Sequence, residues 1–539
     1  MDSFRRIGRQ WHFARHLTLP QFIHGLGFHA ISPKPDLRPP PAVRARPGYW
    51  SAPVHRPPVL VGPTSFRLLN TERDLTDVGW DGGDIDALWR FNQHYFDDLC
   101  AEGAPARASW HHKLLLAWVR DNPPASGIGW SSHPTSLRIV NWIKWALSGH
   151  DLPDPCTHSL AVQTRWLARR LERHRLGNHL MANAKALIFA GSYFQGPEAD
   201  QWRRIGLSVL SAQLPVQVLS DGGHYELSPM YHSIILEDLL DLVNLRSLNP
   251  WLSKNFPVAL DQFISRMLDW LCAMTHPDGQ IAFFNDAAIG VALDPASLTS
   301  YALGLGFRPT RRTFAACTLL GDSGYARLHV GDAVVILDVG RVGPDMCPGH
   351  CHADTLSFEL SLFGQRCVVN AGVSQYGSGP TRDDQRSTAS HNTVVVDGKN
   401  SSDVWGGFRV GRRARVHGIQ LEDRVQSVAL SAWHDGYRNL PGRPIHRRRW
   451  RLSAGVLEVV DEVDPAYPAM AHFLLSPNVS AASPGSKLLI AGRSVQFEVP
   501  EETRWKSGTW HPEFGVSIAT RKLEVPLFAG RSRVLVRWS

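Results

Sequence analysis

No stretch of this chain is long and apolar enough to cross a bilayer, because Arg, Pro or Gly interrupts every hydrophobic run. The opening residues, MDSFRRIGRQWHFARHLTLPQFIHGL, carry basic side chains but no continuous apolar segment ahead of a small-residue cleavage site. They do not read as a signal peptide, so a cytoplasmic location is expected, with the periplasm as the alternative. Cysteine is scarce and irregular: seven, an odd number without repeated spacing, which excludes a disulfide framework. Blocks of like charge are also missing. The formal charge of +8 is spread along the chain, and only 412–415 (Arg-Arg-Ala-Arg) and 446–449 (His-Arg-Arg-Arg) cluster locally. That pattern argues against nucleic acid and for another anionic partner. Arg outnumbers Lys roughly five to one, which suits bidentate binding of carboxylate or sulfate, although codon bias in a GC-rich genome gives the same ratio. No repeat of fixed length is visible.

What is present describes an ordinary globular protein, 43% hydrophobic and 20% charged, whose 539 residues imply two or three domains. Nineteen Trp fit either core packing or stacking on sugars. Residues 31–64 hold about ten Pro, a density that forbids helix and predicts an extended strap. Apolar residues then recur at helical spacing, as in Ile234, Ile235, Leu239, Leu242 and Val243, with similar runs at 160–190 and 256–275. After about residue 315 the period becomes two, in segments such as 327–330, 333–339, 357–362 and 393–396. Helices followed by strands predict an α+β chain in separate domains: an extension over 1–84, a helical domain over 85–312 and a β-domain over 313–539.

Four polar clusters punctuate this pattern. Asn178 and His179 precede a strong helix former and read first as an N-cap. The loop Asp221-Gly-Gly-His-Tyr-Glu-Leu-Ser-Pro-Met-Tyr-His232 leads into a helix expected at 233–246. His350, His352 and Asp354 alternate ahead of a strand, which would put them on the face carrying Leu356, Phe358 and Leu360. Buried without partners they would be costly, so a cleft or a metal should border them. His391 opens the next strong strand, and Asn370 and Tyr376 lie between.

In this order the clusters resemble the heparinase II/III family of polysaccharide lyases. The resemblance covers most of the chain, including Trp89-Arg-Phe-Asn-Gln-His-Tyr-Phe, Ser136-Leu-Arg-Ile-Val-Asn-Trp, HCHADTLSFEL and RSTASHNTVVVDG. It implies an incomplete (α/α) toroid followed by an antiparallel β-sandwich. It implies cleavage of a uronate-containing acidic polysaccharide by β-elimination, with Asn178 and His179 meeting the substrate carboxylate, Tyr231 as general acid and His350 completing the site. Arg138, Asn141, His232, Glu226 and Tyr376 are candidate substrate contacts. His352, position 370 and His391 match a metal trio found in part of the family. There the middle ligand is Asp where this chain has Asn370, a poorer ligand, so any metal (Zn or Ca) is expected to be structural and the chemistry to need no cofactor.

Other readings stay open at this point. A glycoside hydrolase would use Asp221, Glu226 or Asp286, and a non-catalytic glycan-binding protein of an exopolysaccharide pathway would keep the cleft without turnover. A metallo-β-lactamase-type site is disfavoured because Thr355 follows His350-x-His352-x-Asp354 where His is required, and a zinc ribbon lacks a second partner for Cys347 and Cys351.

Overall fold

A computed structural model describes residues 15–539, apart from 17, 31, 46–49, 52–55, 311–313 and 482–487. The expected domain junction at 312/313 therefore lies outside the described residues. The N-terminal part holds helices α1 (Leu19–Ala30), α2 (Ala87–Gln93), α3 (Ala108–Asp121), α4 (Ser132–Leu147) and α5 (Asp154–Arg169). They are followed by α6 (Gly177–Tyr193), α7 (Pro197–Gln217), α8 (Pro229–Leu248), α9 (Leu260–Ala273) and α10 (Pro295–Gly304). Short Gly- and Pro-containing connections make sequential neighbours such as α6 and α7 or α8 and α9 pack together. None of the described helices is long and apolar enough to span a membrane.

Starts are set by polar caps. Asp86 Oδ1 accepts from the backbone N–H of Leu88 at 2.9 Å and of Trp89 at 3.1 Å, and Ser228 Oγ accepts from Tyr231 N at 3.2 Å with Pro229 in the first turn. The described residues of the proline-rich segment form no helix, and Arg165 holds them by donating to the Arg38 carbonyl at 2.6 Å and the Pro39 carbonyl at 2.9 Å. Trp118, Trp142 and Trp270 are fully buried, so these Trp serve the core.

The C-terminal part is antiparallel. Cys317–Leu320, Tyr325–Val330, Ala333–Asp338, Phe358–Leu362 and Gln365–Val368 pair in chain order. A bridge from Val368 to Leu475 joins their edge to a four-stranded sheet containing Val394–Val396, Ala469–Leu474, Arg504–Trp510 and Ile518–Pro526. An eight-stranded sheet, built around Ile445–Ser453 and Val456–Asp464, packs over both, sharing one apolar core that runs from Leu328 and Phe358 to Trp450, Val459 and Phe473. This is a sandwich.

The pleat explains the basic cluster at 446–449. His446, Arg448, Trp450 and Leu452 point inward while Arg447 and Arg449 face out. Arg448 donates to Asp461 from Nε at 2.7 Å and Nη2 at 2.9 Å, and to the Leu356 carbonyl at 2.9 Å. The other cluster is also structural: Arg412 donates to the carbonyls of Ser401 and Gly436, and Arg413 to Asp345 Oδ1 at 2.6 Å. Arg412, Arg413 and Arg448 are therefore committed to the fold.

Burial works to raise the Asp461 pKa, but Arg448 and the hydrogen bond from His446 hold it at about 2. Its stabilisation is therefore present above the unfolded value of about 3.9 and is lost as pH falls through about 2. In acid-unfolding titrations, Asp461→Asn is expected to lower stability at pH 7 and to flatten the slope between about pH 4 and 2. An unchanged slope would remove Asp461 from the acid transition.

Candidate active site

A cavity of about 520 Å³ opens where the helices meet the sandwich. Tyr95, Asn141, Asn178, His179, Glu226 and Tyr231 come to it from the helical part, and His350, Tyr376 and Phe408 from the β part. No described Trp lines it.

Asn178 is not a cap. α6 begins at Gly177 after a left-handed Leu176, and its first-turn donors are met from another loop. Tyr225 Oη accepts from Gly177 N at 2.9 Å, and Glu226 Oε1 accepts from Asn178 N at 2.9 Å. A carboxylate at a helix N-terminus satisfies orphan N–H groups and complements the macrodipole. Gly177 is needed here: its φ is +56° and a Cβ would stand 2.0 Å from Glu226 Oε1. Asn178 Nδ2 lies 3.3 and 3.4 Å from the two Glu226 oxygens, and its second amide hydrogen is left for a ligand.

Tyr231 sits in the first turn of α8, which starts at Pro229 and so earlier than the expected 233. Its hydroxyl is 3.0 Å from that of Tyr376, and its ring stacks on His350 with centroids 3.9 Å apart. Burial pushes both phenols well above their usual range, so both are protonated at neutral pH. Tyr231 can therefore give a proton.

The expected strand face for His350, His352 and Asp354 does not form. The strand begins at Phe358, and Leu356 has a left-handed φ of +60°, which breaks the alternation. What gathers the histidines is Asp286, a fully buried residue of the helical part. Asp286 Oδ2 accepts from His350 Nδ1 at 2.9 Å and Oδ1 from His352 Nε2 at 2.9 Å, while Arg382 donates to both oxygens. Burial works to raise the Asp286 pKa, but the Arg382 charge and the imidazole donors hold it well below the usual carboxylate range. With Nδ1–H given to Asp286, His350 turns Nε2 toward Glu226 Oε2, 3.5 Å away, on the cavity side.

Two candidate contacts belong elsewhere. Arg138 is fully buried and donates to Gln163 Oε1 and to the Gly129 and His94 carbonyls, with its guanidinium 3.8 Å over the Trp118 ring. His232 is also fully buried; its Nε2 donates to the Met267 carbonyl at 3.0 Å and its ring packs on Trp270. Both face away from the cavity because their positions on α4 and α8 point into the helix-to-helix core. Asn141 does line the cavity, donating to Asp97 Oδ1 at 2.8 Å. Unforeseen from the sequence is the charged floor beside it. Lys144 and Lys185 share Asp241, Lys185 also meets Asp238 at 2.6 Å, and Arg56 meets Glu237 at 2.6 Å. Glu237, Asp238 and Asp241 share α8, but Lys144 lies on α4, Lys185 on α6 and Arg56 in the N-terminal segment, so only the packing brings the cations to them.

For the metal trio, His352 Nδ1 and His391 Nε2 face each other at 3.1 Å. Each ring donates its other nitrogen outward, His391 Nδ1 to the Ser387 carbonyl at 2.7 Å and His352 Nε2 to Asp286. Two lone pairs are thus left pointing inward, and burial lowers the His352 pKa to about 3, against taking a proton. This is the outer-sphere arrangement of metal-binding imidazoles. Asn370 fits less well, because its Oδ1 accepts from Asn392 N at 3.2 Å and Nδ2 at 3.3 Å. Among the described residues a second group, His133, Glu172 and His179, also brings its ligating atoms within 4.8 Å of one another.

A paired-carboxylate hydrolase finds little here. Asp286 is held ionised in a buried network, Glu226 caps α6, and Asp221 is turned to the Ser323 hydroxyl at 2.9 Å.

A helical domain and an antiparallel sandwich that share a Tyr, Asn and His cavity define the architecture of toroid-type polysaccharide lyases. Family models place the chain more narrowly: the heparinase II/III N-terminal model matches residues 110–302 and the heparinase II/III-like C-terminal model matches 315–539. The chain belongs to the heparinase II/III family. It is 28% identical over 245 residues to a heparin-sulfate lyase of Pedobacter heparinus, a match covering 42% of this chain and 36% of that relative. The match thus spans only about a third of the relative's length. Among solved structures, heparinase III superposes with a TM-score of 0.68 at 19% identity, covering 85% of this chain and 79% of the other. The Pedobacter heparinus heparan sulfate lyase gives 0.57 at 19% identity, covering 96% and 87%. These likenesses establish the toroid-plus-sandwich fold.

Removing the Asp286 charge would strand Arg382 in the interior. Asp286→Asn is expected to cost about 3–5 kcal/mol of stability in urea denaturation. Adding Arg382→Gln should recover part of it, and a loss below about 1 kcal/mol would mean that the carboxylate does not bind the two domains together.

Proposed function

We propose that the protein is a lyase that cleaves an acidic, uronate-containing polysaccharide by β-elimination. The observation that carries this reading is the meeting of Asn178, Tyr231 and His350 around one cavity of sugar size. The proton on C5 of a uronate is weakly acidic while its carboxylate keeps full charge. The Asn178 amide and the His179 ring would donate to that carboxylate and stabilise the enolate-like charge that develops. His350 Nε2, with its other nitrogen tied to Asp286, would take the C5 proton. The electron pair then forms the C4–C5 double bond, the C4–O bond breaks, and the protonated Tyr231 gives its proton to the leaving oxygen. Tyr376, hydrogen-bonded to Tyr231, would keep that phenol aimed.

The test is incubation with heparosan, hyaluronan, chondroitin, alginate and glucuronan while recording ultraviolet absorbance of unsaturated uronate. At least one polymer should give the absorbance, and Tyr231→Phe should lower kcat by about 10²–10⁴. Reducing ends without absorbance would point to hydrolysis, and near-normal turnover by Tyr231→Phe would end the acid assignment.

A structural divalent ion between His352 and His391 belongs to the same reading. Support comes from the two inward nitrogens at 3.1 Å and their outward hydrogen bonds. Elemental analysis of purified protein should find about one equivalent of a divalent metal, lost in His391→Ala together with thermal stability. Metal-free protein with the same melting temperature as a Zn- or Ca-supplemented sample would remove the ion.

A further inference from the structure

Glu172 serves two side chains of the cavity wall without lining the cavity itself. His133, Arg175 and His179 line it, and Glu172 lies behind them, almost fully buried, in the connection between α5 and α6. Its Oε1 accepts from His179 Nδ1 at 3.0 Å and stands 3.6 Å from Arg175 Nε. Asn183 fixes it from α6: Asn183 Oδ1 accepts from Glu172 N at 2.8 Å, and Asn183 Nδ2 donates to Oε2 at 3.3 Å and to Ser136 Oγ at 3.0 Å. Glu172 is thus tied to α6 at two positions and, through Asn183, to α4.

The consequence is directional. With Nδ1–H given to Glu172, the nitrogen His179 has left for a ligand is Nε2. When both ring nitrogens carry protons, one is donated to Glu172 and the other to whatever lies in the cavity. The His133 ring lies against His179 with centroids 4.3 Å apart and closes its other face. Burial, with the His179 charge, lowers the His133 pKa to about 3, so this neighbour adds no competing charge. Burial works to raise the Glu172 pKa too, but the charge and hydrogen bond of His179 hold it at about 2, so the anchor stays ionised. Arg175 adds a guanidinium whose side chain is 58% exposed, free enough to reach a ligand. Two donors backed by one fixed carboxylate make a subsite that suits an anion.

We propose that Glu172 is a positioning residue that sets His179 and Arg175 as a paired subsite for the carboxylate of the bound sugar. The proposal rests on the lyase reading only in taking the ligand to be an acidic glycan. It is tested by calorimetric binding of heparosan, hyaluronan, chondroitin, alginate and glucuronan oligosaccharides to Tyr231→Phe protein, with and without Glu172→Gln. The added substitution is expected to weaken the best binder about ten-fold or more, and Glu172→Asp to keep most of the affinity. With Tyr231 intact, Glu172→Gln should raise KM and, because His179 also meets the charge that develops on the carboxylate, lower kcat as well. Should Glu172→Gln fail to fold, Arg175→Ala reads the same subsite and should also weaken binding. Unchanged affinity, or an unaltered KM, overturns the proposal. So does stoichiometric Co²⁺ binding lost in Glu172→Gln, which would make His133, Glu172 and His179 a metal site. Weakened binding in a protein that releases no unsaturated uronate would uphold the subsite and reject the lyase reading.

Discussion

The meeting of Tyr231 and His350 in the cavity depends on one buried carboxylate. Asp286 is contributed by the helical part, yet its oxygens are spent on His350, His352 and Arg382 of the sheet part. Ionised and fully buried, it costs several kcal/mol to desolvate, and only the full set of donors offsets that cost. Its backbone extends the same control to the helices. The Ser228 hydroxyl that caps α8 donates to the Asp286 carbonyl at 2.5 Å, and Asp286 N donates to the His350 carbonyl at 3.0 Å. The start of the helix bearing Tyr231 and the loop bearing His350 are thus indexed to one residue. Their ring stacking at 3.9 Å follows from that shared anchor.

A second carboxylate creates a tension that the cavity has to resolve. Glu226 completes the N-terminus of α6 and so holds Asn178 in place, but it also puts a carboxylate directly behind the amide assigned to an anionic ligand. A helix N-terminus would ordinarily attract such a ligand, and here that attraction is already used. The positive side of the balance comes from elsewhere on the wall, from Arg175 beside the His179 ring donor, with Glu172 behind them. Lys144, Lys185 and Arg56 add little, since each is tied to an acidic partner in the floor.

The broad plan was legible because it rests on periodicity. Apolar residues recur at helical spacing in 160–190 and at a period of two in 333–339 and 357–362, and helices and strands stand there. Asn178, Tyr231, His350 and Tyr376 were legible because each belongs to a dense local motif, and the structure brings all four to the cavity. Where local pattern was the only guide, it misled. Arg138 and His232 sit inside the same motifs, but successive residues of a helix point to different sides, and these two face the core. The alternation of His350, His352 and Asp354 looked like a strand, and the left-handed turn at Leu356 ends it. Asp286 stood in the sequence without a pattern around it, visible only as one of several loop carboxylates. Arg382 and Glu172 carried no signal, since their partners lie 96 and 7 residues away and on other elements.

The positive charge of the chain illustrates the same separation between composition and site. A charge of +8 with two arginine-rich clusters invites an anion-binding surface. Yet Arg448 is locked against Asp461 in the sandwich interior, Arg412 is turned to backbone carbonyls, and Arg413 is paired with Asp345. These guanidiniums hold loops and sheets together through several donors each, work for which Lys, with one compact charge, is poorly suited. The arginine excess is therefore mostly a property of the architecture. For the acidic polymer proposed as substrate, selectivity would arise from cations that a buried acid orients but does not enclose, and Arg175, on the wall formed by residues 172–179, is placed in that way.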